Sequence, residues 1–331
     1  MRLNSPLRRY DFDNLRGILI LLVVAAHLME QFSPFPGSEG VYRTIYSFHM
    51  PAFLFLFGYF ASFKPARIGW QVLMYLLFQS LYLLFARQVL GSNVLWQYTT
   101  PYWLLWYLLT SIGYQLLIPL CDWKAKPVQA VIFALSVALA LIVGFIPSVG
   151  YKWSLSRFFV FQPFFIAGLY YRRNEPILQK AFSKGHLWWR LAGCLLPIIA
   201  CIGLLSSDIS RNMLYGSYAY AKTGSTLWTR LALLGMGFGW IVFLVGSLGK
   251  LLNRKLPLLT VLGQNTLPVF LLHGFVVRGL PRLFPAWTDN PILILPITIC
   301  ILFLFGNPLV GKGFRFVFDP PFLKKKKMHT D

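Results

Sequence analysis

About ten stretches of this chain are each long and apolar enough to cross a bilayer, and only short polar joints separate them. A spanning helix needs about 20 mostly apolar residues, because inside lipid every backbone N–H and C=O must find its partner within the segment. The stretches cover residues 15–32, 41–62, 68–89, 102–121, 127–145, 155–171, 190–206, 228–248, 258–279 and 291–310. No length remains for a sizeable soluble domain. With 57% hydrophobic and 12% charged residues, the expectation is an all-α polytopic integral membrane protein.

Its organisation reads as a charged segment at 1–14, a membrane domain at 15–310 and a basic tail at 311–331. The start, MRLNSPLRRYDFDN, leads into an apolar run without a small-residue cleavage site, so the first helix is read as uncleaved. Cys121, Cys194, Cys201 and Cys300 lie in or beside apolar spans without metal-ligand spacing and read as packing residues. No metal site is expected.

A formal net charge of +21 raises the question of nucleic acid, and the placement of the charges answers it. Alternate joints carry the basic residues: Arg8 and Arg9, Lys64 and Arg67, Lys124 and Lys126, Arg172 and Arg173, Arg254 and Lys255, then the lysine run 324–327. The outer set, in the other joints and the span ends beside them, is only Arg43, Lys152, Arg211, Lys222, Arg278 and Arg282. This is the positive-inside pattern of an even number of spans with both termini cytoplasmic. The basic excess is a topology signal rather than a nucleic-acid surface.

Within the first span, LRGILILLVVAAH places Arg16 and His27 eleven positions apart. Eleven steps of about 100° come within roughly 20° of three full turns, so both side chains leave one helix face, separated by a rise of about 16 Å. With Arg16 at the cytoplasmic boundary, His27 lies near mid-membrane, where an ionisable group is costly unless it meets a polar cavity or a partner. Snorkelling of Arg16 to headgroups and a hydrogen bond from His27 to a neighbouring helix are the structural alternatives. Asp11 and Asp13 are placed to cap this helix and to pair with Arg16.

Two further spans carry histidine. In SFHMPAFLFLFGYF, Pro51 frees the carbonyl of Ser47 near His49. In GQNTLPVFLLHGF, Thr266, Phe270 and His273 share a face, with Pro268 expected to break the ladder. The joints 91–103 and 207–228 should face outward and are rich in Tyr, Trp, Ser and Thr. Such residues stack on sugar rings and bond hydroxyls, and interfacial aromatic belts have the same composition. Tyr215, Tyr218 and Tyr220 are the candidates for acceptor contact.

A neutral imidazole is a good general base near physiological pH, able to take the proton of a sugar hydroxyl attacking a thioester. Arginine is a good phosphate ligand. The spacing of the two suits an acyl-coenzyme A whose phosphates stay at the cytoplasmic mouth while a flexible arm carries the acyl group to mid-membrane.

The segments YDFDNLRGILILLVVAAH, SFHMPAFLFLFGYF, PYWLLWYLL, FQPFFIAGLYYRR and LGQNTLPVFLLH, in that order, resemble the membrane-bound acyltransferase 3 family, and within it the bacterial fucose 4-O-acetylase-like proteins. The resemblance implies a bacterial plasma-membrane O-acyltransferase that moves acetyl from cytoplasmic acetyl-CoA to a cell-surface or lipid-linked glycan. It implies no permanently bound cofactor, acetyl-CoA being a substrate. Partners would be acyl-CoA, the glycan acceptor and membrane lipids. By position, His27 takes the role of catalytic base and Arg16 that of donor-binding or site-organising residue. Lys64 and Arg67 stand for the family's second basic motif, and His49, His273, Tyr215 and Tyr218 are expected on the substrate side. Phe57 stands where many relatives have Ser, and Lys64 where Arg is expected.

Two other classes fit the same composition. A glycan-precursor transporter or flippase would also use proline-broken helices around a polar midplane, although no inverted repeat is visible and Glu30 is the main acidic residue within the spans. A non-catalytic membrane subunit would keep the fold without the chemistry.

Overall fold

The computed structural model describes residues 9–184 and 209–314, with isolated positions at 195, 199, 203, 317 and 320. The expected span at 190–206 and most of the tail lie outside them. Among the described residues the fold is entirely helical.

The main helices are α1 (Tyr10–Met29), α2 (Ser38–Phe60), α3 (Pro65–Gln88), α4 (Trp106–Cys121), α5 (Lys126–Ile142), α6 (Leu155–Lys184), α7 (Leu227–Ile241), α8 (Pro257–Gln264), α9 (Thr266–Leu283) and α10 (Ile294–Phe305). Six helical stretches are long and apolar enough to cross a membrane, and α8 with α9 makes a further, broken one, bent by 82°. α2 and α6 have 23 and 30 residues, long enough at about 1.5 Å per residue to cross a core about 30 Å thick. Their buried polar side chains, among them Ser47, His49, Arg157 and Gln162, lower their mean hydropathy. The molecule is a polytopic helical membrane protein.

Its surface agrees with that reading. On α5, Val131, Leu135, Leu139 and Ile142 are exposed, as are Leu295, Ile299, Phe303 and Leu304 around α10. Apolar faces of this size are tolerated when lipid covers them.

Two approaches set the bundle. α2 and α6 meet at Gly58 and Gly168, where a Cβ on either glycine would overlap the backbone carbonyl of Phe165 or Phe55. α1 is tied to the chain entering α8 by Asn14, wholly buried: its amide donates to the carbonyls of Leu252 and Arg254 at 2.8 and 2.7 Å. Its carbonyl oxygen accepts from Thr260 Oγ1 at 2.7 Å. One apolar cluster joins Leu15 and Leu19 of α1 to α2, α4, α6 and α7; a second joins Ile20, Val23 and Val24 of α1 to α9 and α10.

The structure corrects three local expectations. α1 starts at Tyr10, and the backbone before it receives no side-chain cap. Asp11 and Asp13 sit in the first turn, where negative charge favours the helix dipole, and Asp13 does pair with Arg16, at 3.8 Å. α6 runs on to Lys184, through part of what reads as a polar joint, because Arg, Gln and Lys are good helix formers. The break before His273 falls at Asn265. Pro268 lies in the first turn of α9, where the missing N–H has no intrahelical acceptor to lose.

Candidate active site

A cavity of about 550 Å³ runs along the inside of the bundle, walled by α1, α2, α4, α6, α9 and the 212–218 loop. Arg16, Phe60, Gln71 and Thr266 lie at one end, and Tyr151, Asn212, Tyr215 and Tyr218 at the other. His27 stands between them.

At the first end, the Arg16 guanidinium lies 4.2 Å from the centroid of the Phe60 ring and 3.8 Å from the Asp13 carboxylate. The ring contact fixes the side chain while leaving its charge on the cavity wall. Gln264 donates to the other oxygen of Asp13 at 3.2 Å, so the acid that orients Arg16 is itself held. Lys64 and Arg67, at the start of α3, are exposed and are not part of the wall.

In the middle, His27 Nδ1 lies 2.9 Å from His273 Nε2, and the two rings are parallel within 2°. His273 is wholly buried, behind His27 rather than on the wall. Its Nδ1 lies 2.8 Å from the Val269 carbonyl, an acceptor only, so Nδ1 of His273 carries hydrogen. With both rings neutral, His273 Nε2 is then the acceptor, and His27 Nδ1 the donor. The lone pair of His27 falls on Nε2, the nitrogen not turned to His273.

His49 shares the wall. Its Nδ1 donates to the Ile45 carbonyl at 2.8 Å, not to the Ser47 carbonyl that Pro51 leaves free. Glu30, one turn beyond His27, accepts from Tyr42 at 2.5 Å and from Tyr46 at 2.6 Å. Both hydroxyls bond Oε1 of this half-buried carboxylate at the C-terminal end of α1.

Trp103 closes the site from α4's side, its ring 4.6 Å from that of His27. Gln79, wholly buried on α3, places it. The Gln79 amide donates to the carbonyls of Gln97 and Thr100 and accepts from the Tyr102 N–H at 2.8 Å. Pinned this way, the 91–103 joint delivers Trp103 with φ at +39°. A bulky residue in that region is strained, and such strain is found where surroundings over-determine a functional position.

The far end is roofed by the 209–224 loop. Arg211 Nε donates to Oε1 and Oε2 of Glu39 at 3.0 and 2.9 Å and Nη2 to Oε2 at 2.5 Å, and the guanidinium lies 4.2 Å from the Tyr42 ring centroid. These bonds hold the Glu39 carboxyl below its ordinary range and raise Arg211. Tyr215 Oη meets Tyr42 Oη at 2.8 Å, and Tyr218 also faces the cavity. Tyr220 does not: it is buried, donating to the Leu141 carbonyl at 2.8 Å under the Arg230 guanidinium.

Five expected site residues, Arg16, His27, His49, Tyr215 and Tyr218, therefore line one cavity, with His273 directly behind it. Sequence reasoning missed Tyr46, Trp103, Arg157 and Arg278, all on the wall. A signal existed for Arg157, an arginine inside an apolar span. None existed for Trp103, since interfacial tryptophans look alike in sequence.

The family model of the acyltransferase 3 domain, described as an acyltransferase domain, matches residues 9–306. That range includes every residue lining the cavity. No curated protein and no solved structure matches the chain.

Proposed function

Because the chain belongs to the acyltransferase 3 family, we propose that it transfers an acyl group, acetyl by the resemblance, from cytoplasmic acyl-CoA to a hydroxyl of a cell-surface or lipid-linked glycan. The observation that carries the proposal is the single cavity reaching from Arg16 past His27 to Tyr215 and Tyr218. The donor enters at the Arg16 end, where a fixed guanidinium meets its phosphates, with Lys64 and Arg67 attracting it from outside the mouth. Its thioester reaches His27 through the apolar middle of the cavity, and the acceptor enters from the tyrosine-rich end, where His49 and the two tyrosines contact it.

The acceptor hydroxyl attacks the thioester carbonyl while its proton passes to His27 Nε2. The positive charge that forms is shared with His273 through the 2.9 Å bond. The tetrahedral adduct collapses with loss of the CoA sulfur as leaving group. The imidazolium returns its proton to that sulfur, so the base is regenerated and the products are ester and CoA–SH. In this reading the substrate-side role expected of His273 becomes that of a positioning residue. The topology that fits has the Arg16 end and both termini cytoplasmic, as the basic joints expect.

A long cavity with polar groups at mid-depth beside a helix pair bent by 82° is also a transporter's frame. The separating experiment follows radiolabelled acetyl from acetyl-CoA into envelope glycan, using bacterial membranes with wild-type protein, His27→Ala, Arg16→Ala or no protein. We expect base-labile label that depends on His27, and a raised KM for acetyl-CoA in Arg16→Ala. Full activity in His27→Ala sinks the mechanism, and movement of labelled glycan without ester formation gives the transporter reading its case.

A further inference from the structure

The cavity wall carries more positive charge than the donor site explains. Arg157 opens α6 at the Tyr215 end and is only 9% exposed. Its guanidinium lies 4.7 Å from the Trp106 ring centroid and 4.8 Å from that of Tyr151. Nε donates to the Tyr215 carbonyl at 3.1 Å. Nη1 is buried and has no hydrogen-bond partner, and among the described residues no carboxylate pairs with the group.

Arg278, on α9, lines the same cavity with its Nε buried and unpartnered, 5.5 Å from the Trp103 ring. The one carboxylate on the wall, Glu30, is already held by two tyrosine hydroxyls. A desolvated guanidinium held in place with unused donors is costly until an anion completes it. Its planar fork fits the two oxygens of a carboxylate or phosphate. The Trp103 ring centroid lies 5.5 Å from the Arg278 guanidinium carbon and 4.6 Å from the His27 ring, which puts this charge on the same stretch of wall as the base.

We propose that this end of the cavity is an oxyanion subsite in which Arg157, with Arg278 on the same cavity wall, holds the carboxylate or phosphate of an acidic acceptor sugar. The proposal rests on the acyl-transfer reading only in calling that ligand the acceptor. Binding to the subsite requires no donor. The acidic group sets which glycans are accepted, and neutral sugars are bound less well.

The test is calorimetric titration of the purified full-length protein in detergent at low salt with methyl glucuronide, the methyl ester of that glucuronide, methyl glucoside and glucose 1-phosphate. At least one of the two acidic sugars should bind about tenfold more tightly than the neutral ones, the scale of one charge-assisted pair in a desolvated site. The tighter of the two identifies the anion as carboxylate or phosphate. Arg157→Gln should remove the preference, Arg157→Lys should keep part of it, and saturating CoA should leave it unchanged.

Equal affinity of the wild-type protein for glucuronide, its ester and the sugar phosphate overturns the proposal, and needs no variant to fold. So does a preference that survives in a monodisperse Arg157→Gln protein, or an anion displaced by CoA, which would make this the donor's site. Acetyl transfer without any anion preference defeats this inference alone. Anion preference without acetyl transfer defeats the acyltransferase reading and leaves the subsite standing.

Discussion

Replacing His273 by leucine tests whether the second imidazole acts through the first. The ring is wholly buried, so leucine keeps an apolar filling there while removing the acceptor of the 2.9 Å bond from His27. The His27 Nδ1–H is then a buried donor without a partner, a loss of about 1–3 kcal/mol. His27 can escape by rotating or by moving its hydrogen to Nε2. Either change withdraws the lone pair from the acceptor hydroxyl, so the loss falls on the reactive arrangement. At about 1.4 kcal/mol per tenfold change in rate, kcat should drop about 5- to 150-fold. The KM for acetyl-CoA should hold, since Arg16 lies about 16 Å along α1 from the histidine pair. The assay is the initial rate of label transfer from acetyl-CoA in membranes with matched protein levels. His27→Ala should cost about 10²- to 10⁴-fold, the usual worth of a general base, and the double variant should be no slower than His27→Ala. A wild-type rate in His273→Leu would refute the reasoning. So would a double variant whose loss is the product of the two single losses, because independent sites add in free energy.

Gly168→Ala should destabilise by about 1–3 kcal/mol through overpacking, because its Cβ would meet the Phe55 carbonyl across the α2–α6 contact; a lower midpoint of thermal aggregation in detergent checks it, and an unchanged midpoint argues against so close an approach. The loop over the far mouth should loosen in acid. Glu39 has a folded pKa below its ordinary 4.5, chiefly through the hydrogen bonds from Arg211, so its contribution is complete above about pH 4.5 and fades as pH falls through the depressed value. Hydrogen exchange in residues 209–224 should therefore rise below that pH in the wild-type protein and be already raised, and flat with pH, in Glu39→Gln.

What the sequence by itself determined is the part that depends on one helix at a time. Lipid leaves a long apolar run little choice but to be helical, so spans such as Tyr10–Met29 and Lys126–Phe145 are legible from composition. Helical periodicity is equally local, which is why Arg16 and His27 were expected on one face and do line one cavity. The same logic marked His49 and His273 as ionisable groups at depth.

What only the tertiary structure decided is which helices meet. That His273 stands behind His27 depends on the bend at Asn265 and on Asn14 and Thr260 fixing α8 against α1, contacts between residues more than 240 positions apart. That Trp103 reaches His27 depends on Gln79 gathering the 97–102 backbone from another helix. That Tyr218 faces the cavity and Tyr220 the core depends on a loop tied down by Arg211, Ser156 and Arg157. Long-range hydrogen bonds leave no periodicity in a sequence. Their donors and acceptors are polar residues whose partners appear only once the bundle has closed around them.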